Sequence, residues 1–287
     1  MISIIIINYR QKNYLLDCVR SIQDNIKYQH EIIIINNSPE EDLAELEGTI
    51  KIIPNTNRGY SQANNLGVKH AQGDYLLFLN ADTVVKNDPF ENVINVLKRK
   101  FTGAVGLRMT NDDNSFQLSF WKENTFANEK VNKECEERFK KDDKSFIETI
   151  EKEHSDVTEV DWVSGAAMMM RKDVFEDIGG FDERFFLFYE DADICKRLAD
   201  KGYKIYFYPG SDIVHYKGEN VNKEFTGNTY FYSKQSQLYY YCRHNSLSDR
   251  ILLRMYLITK FSYKYITTFK SINLKILLML LGLRSKP

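Results

Sequence analysis

Three acidic residues lie within four positions of one another and form the densest group of reactive side chains in the sequence. They are Glu190, Asp191 and Asp193, and the aromatic-rich segment 181–186 precedes them. Carboxylates this close repel one another unless a cation or a hydroxyl-bearing ligand is present. Because successive residues at a helix start face different directions, one of Glu190 and Asp191 can act as a base and the other can anchor a ligand. The alternative is a helix N-terminus whose acids only complement the helix dipole.

Asp82 and His215 are two further candidates, and each follows an apolar, strand-like run. Asp82 comes after residues 75–79 and an Asn-Ala pair, and His215 comes after residues 213–214. A carboxylate at the carboxyl end of a parallel strand points into the ligand crevice, where it suits a hard divalent cation that also holds diphosphate oxygens. The alternatives are that Asp82 caps the following turn and that His215 is a structural histidine.

Missing motifs exclude several classes of enzyme. The sequence has no G-x-G-x-x-G after its first strand, no G-x-x-x-x-G-K-[ST], no G-x-S-x-G and no H-E-x-x-H. Dehydrogenase, P-loop kinase and serine hydrolase are therefore excluded. Glycine turns at residues 57–60 and 179–182 can let the backbone approach a sugar or a phosphate, although most glycine turns only reverse the chain.

The elements that must position these residues follow a βαβ pattern. Short β-branched apolar runs alternate with segments whose apolar residues have helical spacing, which predicts strands covered by helices on both faces. The predicted strands are residues 2–7, 32–35, 51–54, 75–79, 103–108, 160–170 and 204–208. The predicted helices are residues 14–22, 61–71, 90–100, 171–178 and 192–201, and Gly202 ends the last of them. The pattern predicts an α/β fold with an open, mostly parallel sheet that binds ligands beyond the carboxyl ends of its strands.

Length and composition narrow the class of protein. A chain of 287 residues is long enough for one large or two small domains. Its 39 Lys and Arg against 40 Asp and Glu leave a net charge of −1, which argues against nucleic acid as a partner. Four cysteines without a C-x-x-C pair favour a reducing compartment. The sequence shows neither a signal-peptide pattern nor an apolar run near the roughly 20 residues of a membrane-spanning helix, so we expect a cytoplasmic protein.

Two segments differ from the rest in charge. Residues 122–159 contain 20 charged side chains among 38 residues, which predicts an exposed helical insertion or, alternatively, a partner-binding arm. Residues 243–287 hold nine Lys and Arg against one acid, a net charge of +8 that leaves −9 for residues 1–242.

The basic tail has apolar residues at every third or fourth position, with lysines on the opposite side of the predicted helix. The apolar positions are Ile258, Phe261, Tyr265, Phe269, Ile272, Ile276, Met279 and Leu283, and the lysines are Lys260, Lys264, Lys270 and Lys275. Such a helix can lie in an anionic membrane surface. The alternative is an amphipathic helix that packs on the preceding domain or on a second subunit in an oligomer.

The order of these features resembles the family 2 glycosyltransferases, which have the GT-A fold, and within them the rhamnosyltransferase-like enzymes of bacteria. Each motif is weak alone, but eight in order between residues 2 and 220 are specific for the family. They are S-I-I-I-I-N-Y (3–9), I-N-N-S (35–38), N-R-G-Y-S-Q-A-N-N-L-G (57–67), G-D-Y-L-L-F-L-N-A-D (73–82), G-A-A-M-M-M-R (165–171), G-G-F-D-E-R-F-F (179–186), Y-E-D-A-D (189–193) and H-Y-K-G (215–218).

The resemblance implies roles for individual residues. Asp82 is similar to the last acid of the family's D-x-D motif, which holds Mn²⁺ or Mg²⁺ against the donor diphosphate, and Asn80 replaces the first acid. His215 is similar to a late histidine that completes the metal or diphosphate site. Asp191 resembles the catalytic base of an inverting transfer, and Glu190 beside it would position the acceptor.

The resemblance also implies donor and acceptor sites. Asn36 stands where the family often has an Asp that hydrogen-bonds a pyrimidine, so a dTDP-sugar such as dTDP-rhamnose or a UDP-sugar is the expected donor. Further nucleotide-sugar-binding candidates are Asn8, Tyr9, Arg58, Asn64 and Ala81. The acceptor-binding candidates are Gly165, Gly180, Phe181 and Asp182. The expected acceptor is a glycan or a polyprenyl-linked glycan of bacterial polysaccharide biosynthesis, at the cytoplasmic face of the cell membrane.

The implied domain plan is a catalytic domain over residues 1–242 followed by the helical tail 243–287. Within the domain, residues 1–108 bind the nucleotide sugar, 109–159 contain the insertion, and 160–242 bind the acceptor. Two alternatives are a sugar-1-phosphate nucleotidyltransferase, whose glycine-rich loop is missing after the first strand, and a non-catalytic sugar- or nucleotide-binding scaffold.

Overall fold

The computed structural model describes residues 1–46, 48, 50–216 and 227–283. Its strands are β1 (Ile2–Asn8), β2 (His30–Asn36), β3 (Lys51–Pro54), β4 (Tyr75–Asn80), β5 (Thr83–Val85), β6 (Thr102–Thr110), β7 (Phe116–Gln117), β8 (Phe120–Trp121), β9 (Thr158–Val160), β10 (Trp162–Val163), β11 (Ala167–Arg171) and β12 (Lys204–His215). Its helices are α1 (Lys12–Asn25), α2 (Tyr60–Lys69), α3 (Phe90–Leu97), α4 (Phe126–Lys140), α5 (Lys144–Glu153), α6 (Lys172–Asp177), α7 (Glu190–Asp200), α8 (Gly227–His244), α9 (Leu247–Thr268) and α10 (Ser271–Leu280).

The central sheet is mostly parallel, as the sequence predicts. Its strand order is β3-β2-β1-β4-β11-β6-β12-β5, with β7 beside β6 and β9 beside β12. The first four strands are parallel to one another, and β12 is parallel to β6. β11 lies antiparallel between β4 and β6 and joins the two parallel groups.

Alternation along β1 explains why helices cover both faces of this sheet. Ile4 and Ile6 pack with α1 and α3 on one face, whereas Ile5 packs with α2 on the other. All three side chains are fully buried. Because each buried isoleucine contributes about 1.5–3 kcal/mol relative to an exposed one, a continuous isoleucine run favours a strand at the centre of the sheet.

The carboxyl edge of the sheet presents three asparagines. Asn8, Asn36 and Asn80 end β1, β2 and β4, and Asn8 lies in register with Asn36. A polar residue at each strand end follows directly from the sequence pattern, and the parallel pairing brings these residues to one edge.

Residues 160–170 do not form the single strand that the sequence predicts. β10 ends at Val163 and β11 begins at Ala167, because β10 pairs with β8 in a separate two-stranded sheet. The intervening turn carries Gly165 out of the sheet and toward the start of α7, where its amide donates to Asp191.

The charged insertion forms α4 and α5, in which Ile147 is the one buried residue. It also contacts α8, since the Glu129 carboxylate accepts hydrogen bonds from Gln237 and Tyr241. Glu129 therefore anchors the C-terminal helices rather than facing solvent alone.

The predicted single helix of the tail is wrong. The chain bends at Phe269, which has a left-handed φ of 51°, so α9 and α10 are separate helices that pack together. Phe261, Ile276 and Met279 of the predicted stripe are buried in a cluster with Phe185 of the preceding domain. Of the predicted basic tail, Arg284 and Lys286 lie outside the described residues, as does the end of the motif at 215–218. No helix in the described part of the chain is both long enough and apolar enough to cross a membrane.

Candidate active site

Asp82 and His215 lie together at the carboxyl edge of the sheet although they are 133 positions apart in the sequence. β5 and β12 pair antiparallel with His215 opposite Thr83, and the Tyr216 amide donates to the Asp82 carbonyl oxygen. The distance between Asp82 Oδ1 and His215 Nε2 is 3.3 Å. The side-chain amide of Asn80 lies 3.4 Å from the same Nε2 atom.

Gln117 orients the His215 ring. Its Oε1 lies 2.7 Å from His215 Nδ1. Its Nε2 donates to Asn111 Oδ1 at 2.9 Å and to the His215 carbonyl at 3.1 Å, and these two bonds fix which end of the amide is oxygen. Gln117 Oε1 therefore accepts from Nδ1–H, and the Nε2 atom of the oriented ring faces Asp82.

This donor set fits a divalent cation. The Asp82 carboxylate and the His215 Nε2 atom lie 3.3 Å apart, and carboxylate oxygen and imidazole nitrogen are both ligands of divalent cations in proteins. Gln117 accepts a hydrogen bond from the other ring nitrogen, as the outer partners of metal-bound histidines do. Among the described residues, no group of three or more His, Cys, Asp and Glu side chains is arranged to hold a metal ion. Asp82 and His215 could supply two ligands of such an ion, and diphosphate oxygens and water could supply others.

Asp191 and Glu190 begin α7, where the chain enters through the left-handed residues Phe188 and Tyr189, both with φ of 67°. Asp191 Oδ2 accepts from the Gly165 amide at 3.2 Å, and Oδ1 accepts from the Ala192 amide at 2.9 Å. Burial raises the pKa of Asp191, and these two amides oppose that rise by stabilising the carboxylate.

Glu190 has different surroundings. Its side chain is buried and its Oε2 has no hydrogen-bond partner among the described residues. Burial, and then the neighbouring Asp191 carboxylate, raise the pKa of Glu190 well above its ordinary value. The pKa of both acids is raised, and that of Glu190 is raised more strongly, so the Asp191 carboxylate is the better stabilised of the two in its charged form.

Asp193, the third acid of the cluster, has a structural role. Its fully buried carboxylate accepts from Arg197 Nε at 2.7 Å and lies 2.7 Å from His244 Nε2. Arg243 Nε lies 3.4 Å from the same carboxylate. Asp193 thus ties α7 to α8.

Tyr60 and Asn80 contact the turn that holds Asp191, and Asn80 also leads to Asp82. Its hydroxyl donates to the Gly165 carbonyl at 2.9 Å, while the Gly165 amide holds Asp191. The Asn80 amide donates to the Ala166 carbonyl at 2.9 Å, so the strand end that leads to Asp82 adjoins the turn that holds Asp191. Burial raises the pKa of Tyr60, and the Glu190, Asp191 and Asp82 carboxylates add to that rise.

The predicted nucleotide residues lie around the ends of β1 and β2. Asn36 Oδ1 accepts from Asn8 Nδ2 and from the Ser38 amide, both at 3.0 Å, so its carbonyl already has two internal donors. Asn8 also donates to Glu41 at 2.8 Å, and its own Oδ1 is buried without a partner in the described structure. Tyr9 is exposed nearby, with the Arg10 guanidinium 5.4 Å from its ring centre.

The remaining predicted donor residues differ in exposure. Arg58 is exposed, and Ala81 is buried behind the strand end. Asn64 is fully buried on α2, where its Nδ2 donates to the Tyr60 carbonyl. Its Oδ1 has no partner in the described part of the chain.

The predicted acceptor residues at 180–182 make mainly structural contacts. Asn65 accepts from the Phe181 amide at 3.0 Å and donates to the Phe181 carbonyl at 2.9 Å, and the Phe181 ring packs beneath Tyr60. Gly180 has a left-handed φ of 70°, and a Cβ there would lie 2.9 Å from Asn65 Oδ1. The Asp182 carboxylate accepts from Arg184, Tyr239 and Arg243. Gly165 alone among the four predicted acceptor residues contacts Asp191.

Gln117 and Tyr60 are residues that the sequence does not single out. Gln117 lies 98 positions from His215 and belongs to no motif. Tyr60 lies within the motif 57–67, but only the fold shows its contact with Gly165, 105 positions away.

Comparisons with known proteins indicate the family of this chain. The family described as glycosyl transferase family 2 matches residues 3–179, and the N-terminal domain of galactosyltransferase matches residues 153–220. The rhamnosyltransferase WbbL of Escherichia coli is 25% identical over 263 residues, which are 87% of this chain and 96% of that protein. The N-acetylglucosaminyl-diphospho-decaprenol L-rhamnosyltransferase of Mycobacterium tuberculosis is 29% identical over 86 residues, which are 30% of this chain and 28% of that enzyme.

Two solved structures share the fold. The structure of GalNAc-T7 with UDP, GalNAc and Mn²⁺ has a TM-score of 0.56 at 17% identity, over 75% of this chain and 44% of that one. The structure of S. aureus TarS has a TM-score of 0.58 at 11% identity, over 99% of this chain and 49% of that one. The family match covers more than half of the sequence and the fold agrees with it, so the chain belongs to glycosyl transferase family 2.

Proposed function

We propose that this glycosyltransferase moves a sugar from a pyrimidine nucleoside diphosphate to an acceptor hydroxyl with inversion at the anomeric carbon. One observation supports this proposal most directly. The Asp82 and His215 pair and the Asp191 carboxylate lie on adjoining backbone segments, which are joined by the hydrogen bond from the backbone amide of Asn80 to the Ala166 carbonyl. A leaving diphosphate and an attacking hydroxyl need these two kinds of group on either side of the reacting carbon.

Asp82 and His215 would hold Mn²⁺ or Mg²⁺, and when bound the ion neutralises the charge that develops on the departing diphosphate. Gln117 would orient the His215 ring with Nε2 toward the metal, and the side-chain amide of Asn80, whose Nδ2 atom lies 3.4 Å from that nitrogen, is placed to donate to a diphosphate oxygen. The support for this assignment is the distance of 3.3 Å between Asp82 Oδ1 and His215 Nε2.

Asp191 is the proposed base. It takes the proton of the acceptor hydroxyl as that oxygen attacks, and the Gly165 and Ala192 amides orient its carboxylate and oppose the rise in its pKa that burial causes. Burial, and then the neighbouring Asp191 carboxylate, raise the pKa of Glu190 and so favour its protonated form, which can donate a hydrogen bond to a substrate hydroxyl without adding a second negative charge.

For the donor we propose a dTDP- or UDP-sugar, with dTDP-rhamnose first because the two relatives named above are rhamnosyltransferases. The nucleotide would contact Asn8, Tyr9, Asn36, Arg58 and Asn64. For the acceptor we propose a glycan on a polyprenyl carrier in bacterial polysaccharide biosynthesis. That acceptor would place the enzyme on the cytoplasmic face of the membrane as a peripheral protein.

The test is a turnover assay over a panel of dTDP- and UDP-sugars with a short, water-soluble diphospho-glycan acceptor, with and without Mn²⁺. We expect one donor to give metal-stimulated release of nucleoside diphosphate that requires the acceptor, and a glycosidic product of inverted configuration. Retention of configuration, or nucleoside diphosphate release that no acceptor accelerates, would contradict the proposal.

A further inference from the structure

Helix α9 presents apolar side chains to solvent in an unusual concentration. Thirteen large apolar side chains are exposed in the described part of the chain, and ten of them lie within residues 247–283. Seven belong to α9, and we call them the outer face of α9. They are Leu247, Ile251, Leu252, Met255, Tyr256, Tyr263 and Ile266.

The outer face is segregated from charge. At about 100° per residue, these seven side chains fall within one half of the helix circumference. All five charged residues of α9 fall in the other half, which also contains the buried Leu253, Leu257 and Phe261. The charged residues are Asp249, Arg250, Arg254, Lys260 and Lys264. An ordinary surface helix has the reverse arrangement, with charged residues opposite its buried stripe.

The fold itself does not need the outer face. Leu253, Leu257 and Phe261 already dock α9 onto the C-terminal cluster, which includes Phe185 and Ala192 of the preceding domain. Met255 and Ile266, near the centre of the outer face, are 62% and 66% exposed. Apolar patches of this kind on a folded protein mark an interaction surface.

Charge decides which partner the outer face fits. Residues 247–283 carry six Lys and Arg against Asp249 alone, a net charge of +5. Two copies meeting through this face would bring like charges together, whereas an anionic bilayer attracts them at about 1 kcal/mol per basic residue near its surface. Tyr256 and Tyr263 lie at the border between the apolar and charged halves, where tyrosines favour the membrane interface.

We propose that the outer face of α9 inserts into the surface of an anionic bilayer, with the helix axis parallel to the membrane. Lys260 and Arg254 then lie at the level of the lipid headgroups, with their chains along the apolar boundary. Because the inner side of α9 shares a cluster with Ala192, next to Asp191, the bilayer surface lies against the half of the protein that holds the base. The lipid-linked nature of the acceptor rests on the proposed function, but the membrane contact does not.

Sedimentation with vesicles tests this proposal on the full chain. The vesicles are phosphatidylcholine alone and phosphatidylcholine mixed with phosphatidylglycerol. The variant Met255→Glu/Ile266→Glu alters the outer face. The matched control is Phe101→Glu/Val131→Glu, which puts the same charge at two exposed apolar residues elsewhere.

We expect the unaltered protein to sediment with the anionic vesicles at least about tenfold more strongly than with the neutral ones. The α9 variant should lose at least about tenfold of that binding, and the control should stay within about twofold. Turnover of a water-soluble acceptor should be equal in all three proteins. Vesicle sedimentation does not require turnover, so it still tests the membrane contact if the proposed activity is not found.

Two results would overturn the proposal. One is equal sedimentation of the α9 variant and its control with anionic vesicles, or no sedimentation of the unaltered protein. The other is a dimer, measured by light scattering without lipid, that the α9 variant converts to a monomer, which would make a second copy the partner.

Discussion

Asp191 and Glu190 are adjacent in the sequence, yet they end in different environments. Two backbone amides hold the Asp191 carboxylate, whereas Glu190 points into the buried interior with an oxygen that lacks a partner among the described residues. The sequence predicts that the two acids differ in role, and the structure supplies a physical reason, which is unequal stabilisation of the charged form.

Replacing Glu190 with Gln should leave turnover within about fivefold, because a neutral amide mimics a carboxylic acid that is already protonated. The same change should stabilise the protein at higher pH. A carboxyl whose folded pKa is raised is favourable while protonated, and that stability is lost as the pH rises from the ordinary value of 4.5 through the folded value.

Thermal unfolding of both proteins from pH 4 to pH 9 measures this effect. The melting temperature of Glu190→Gln should exceed that of the unaltered protein by a margin that widens with pH. A constant margin, or a loss of turnover as large as that of an Asp191 variant, would show that Glu190 works as an anion.

Gln117 should affect metal affinity through His215. Gln117→Met removes the acceptor for Nδ1–H, so we expect metal affinity in the presence of dTDP or UDP to fall about 10- to 100-fold. Metal-free nucleotide affinity should stay unchanged. Calorimetry measures both quantities, and Asp113→Asn in the same hairpin is the control, since Asp113 contacts Ser115 and not the histidine. Equal metal affinity in both variants would refute the positioning role.

At the scale of elements, α7 depends on the buried Asp193 carboxylate. Asp193→Ala leaves Arg197, Arg243 and His244 without their shared acceptor, so we expect the free energy of unfolding to fall by about 3–5 kcal/mol. Asp200→Ala on the same helix removes only an exposed pair with Lys196, worth less than about 1 kcal/mol. Urea unfolding compares the two. Similar losses in both variants would mean that Asp193 does not hold α7 to α8.

The pattern of apolar runs predicts the parallel half of the sheet and its carboxyl edge because burial on both faces requires continuous isoleucine and leucine. The pattern does not predict strand direction, so residues 160–170 are predicted as one strand. The antiparallel pairing of β11 cannot be predicted from it. The bend at Phe269 is hidden too, since a bulky residue at positive φ is uncommon and carries no sequence signal.

The same limit applies to the candidate site. Strand ends and the acid cluster single out Asp82, Asp191 and His215 because their residue types follow buried runs. Gln117 and Tyr60 act through contacts across about 100 positions of sequence, which only the fold reveals.

At the scale of the whole molecule, the start of α2 joins residues 1–108 to residues 160–242. The Tyr60 amide donates to the Phe186 carbonyl at 2.9 Å, and a Cβ at Gly59 would lie 2.4 Å from that oxygen. The near-zero net charge of the chain conceals an acidic domain and a basic helical end, and the outer face of α9 adds an apolar surface to the basic part. Because α9 shares a buried cluster with Ala192, next to Asp191, packed side chains connect the site to the proposed membrane surface.

Turnover by Asp191→Asn tests the central claim most directly, with donor affinity measured by calorimetry on the same preparation. If Asp191 removes the acceptor proton, the turnover number should fall about 10²- to 10⁴-fold while the donor dissociation constant stays within about twofold. Turnover near that of the unaltered enzyme, at equal donor affinity and equal thermal stability, would show that another group is the base.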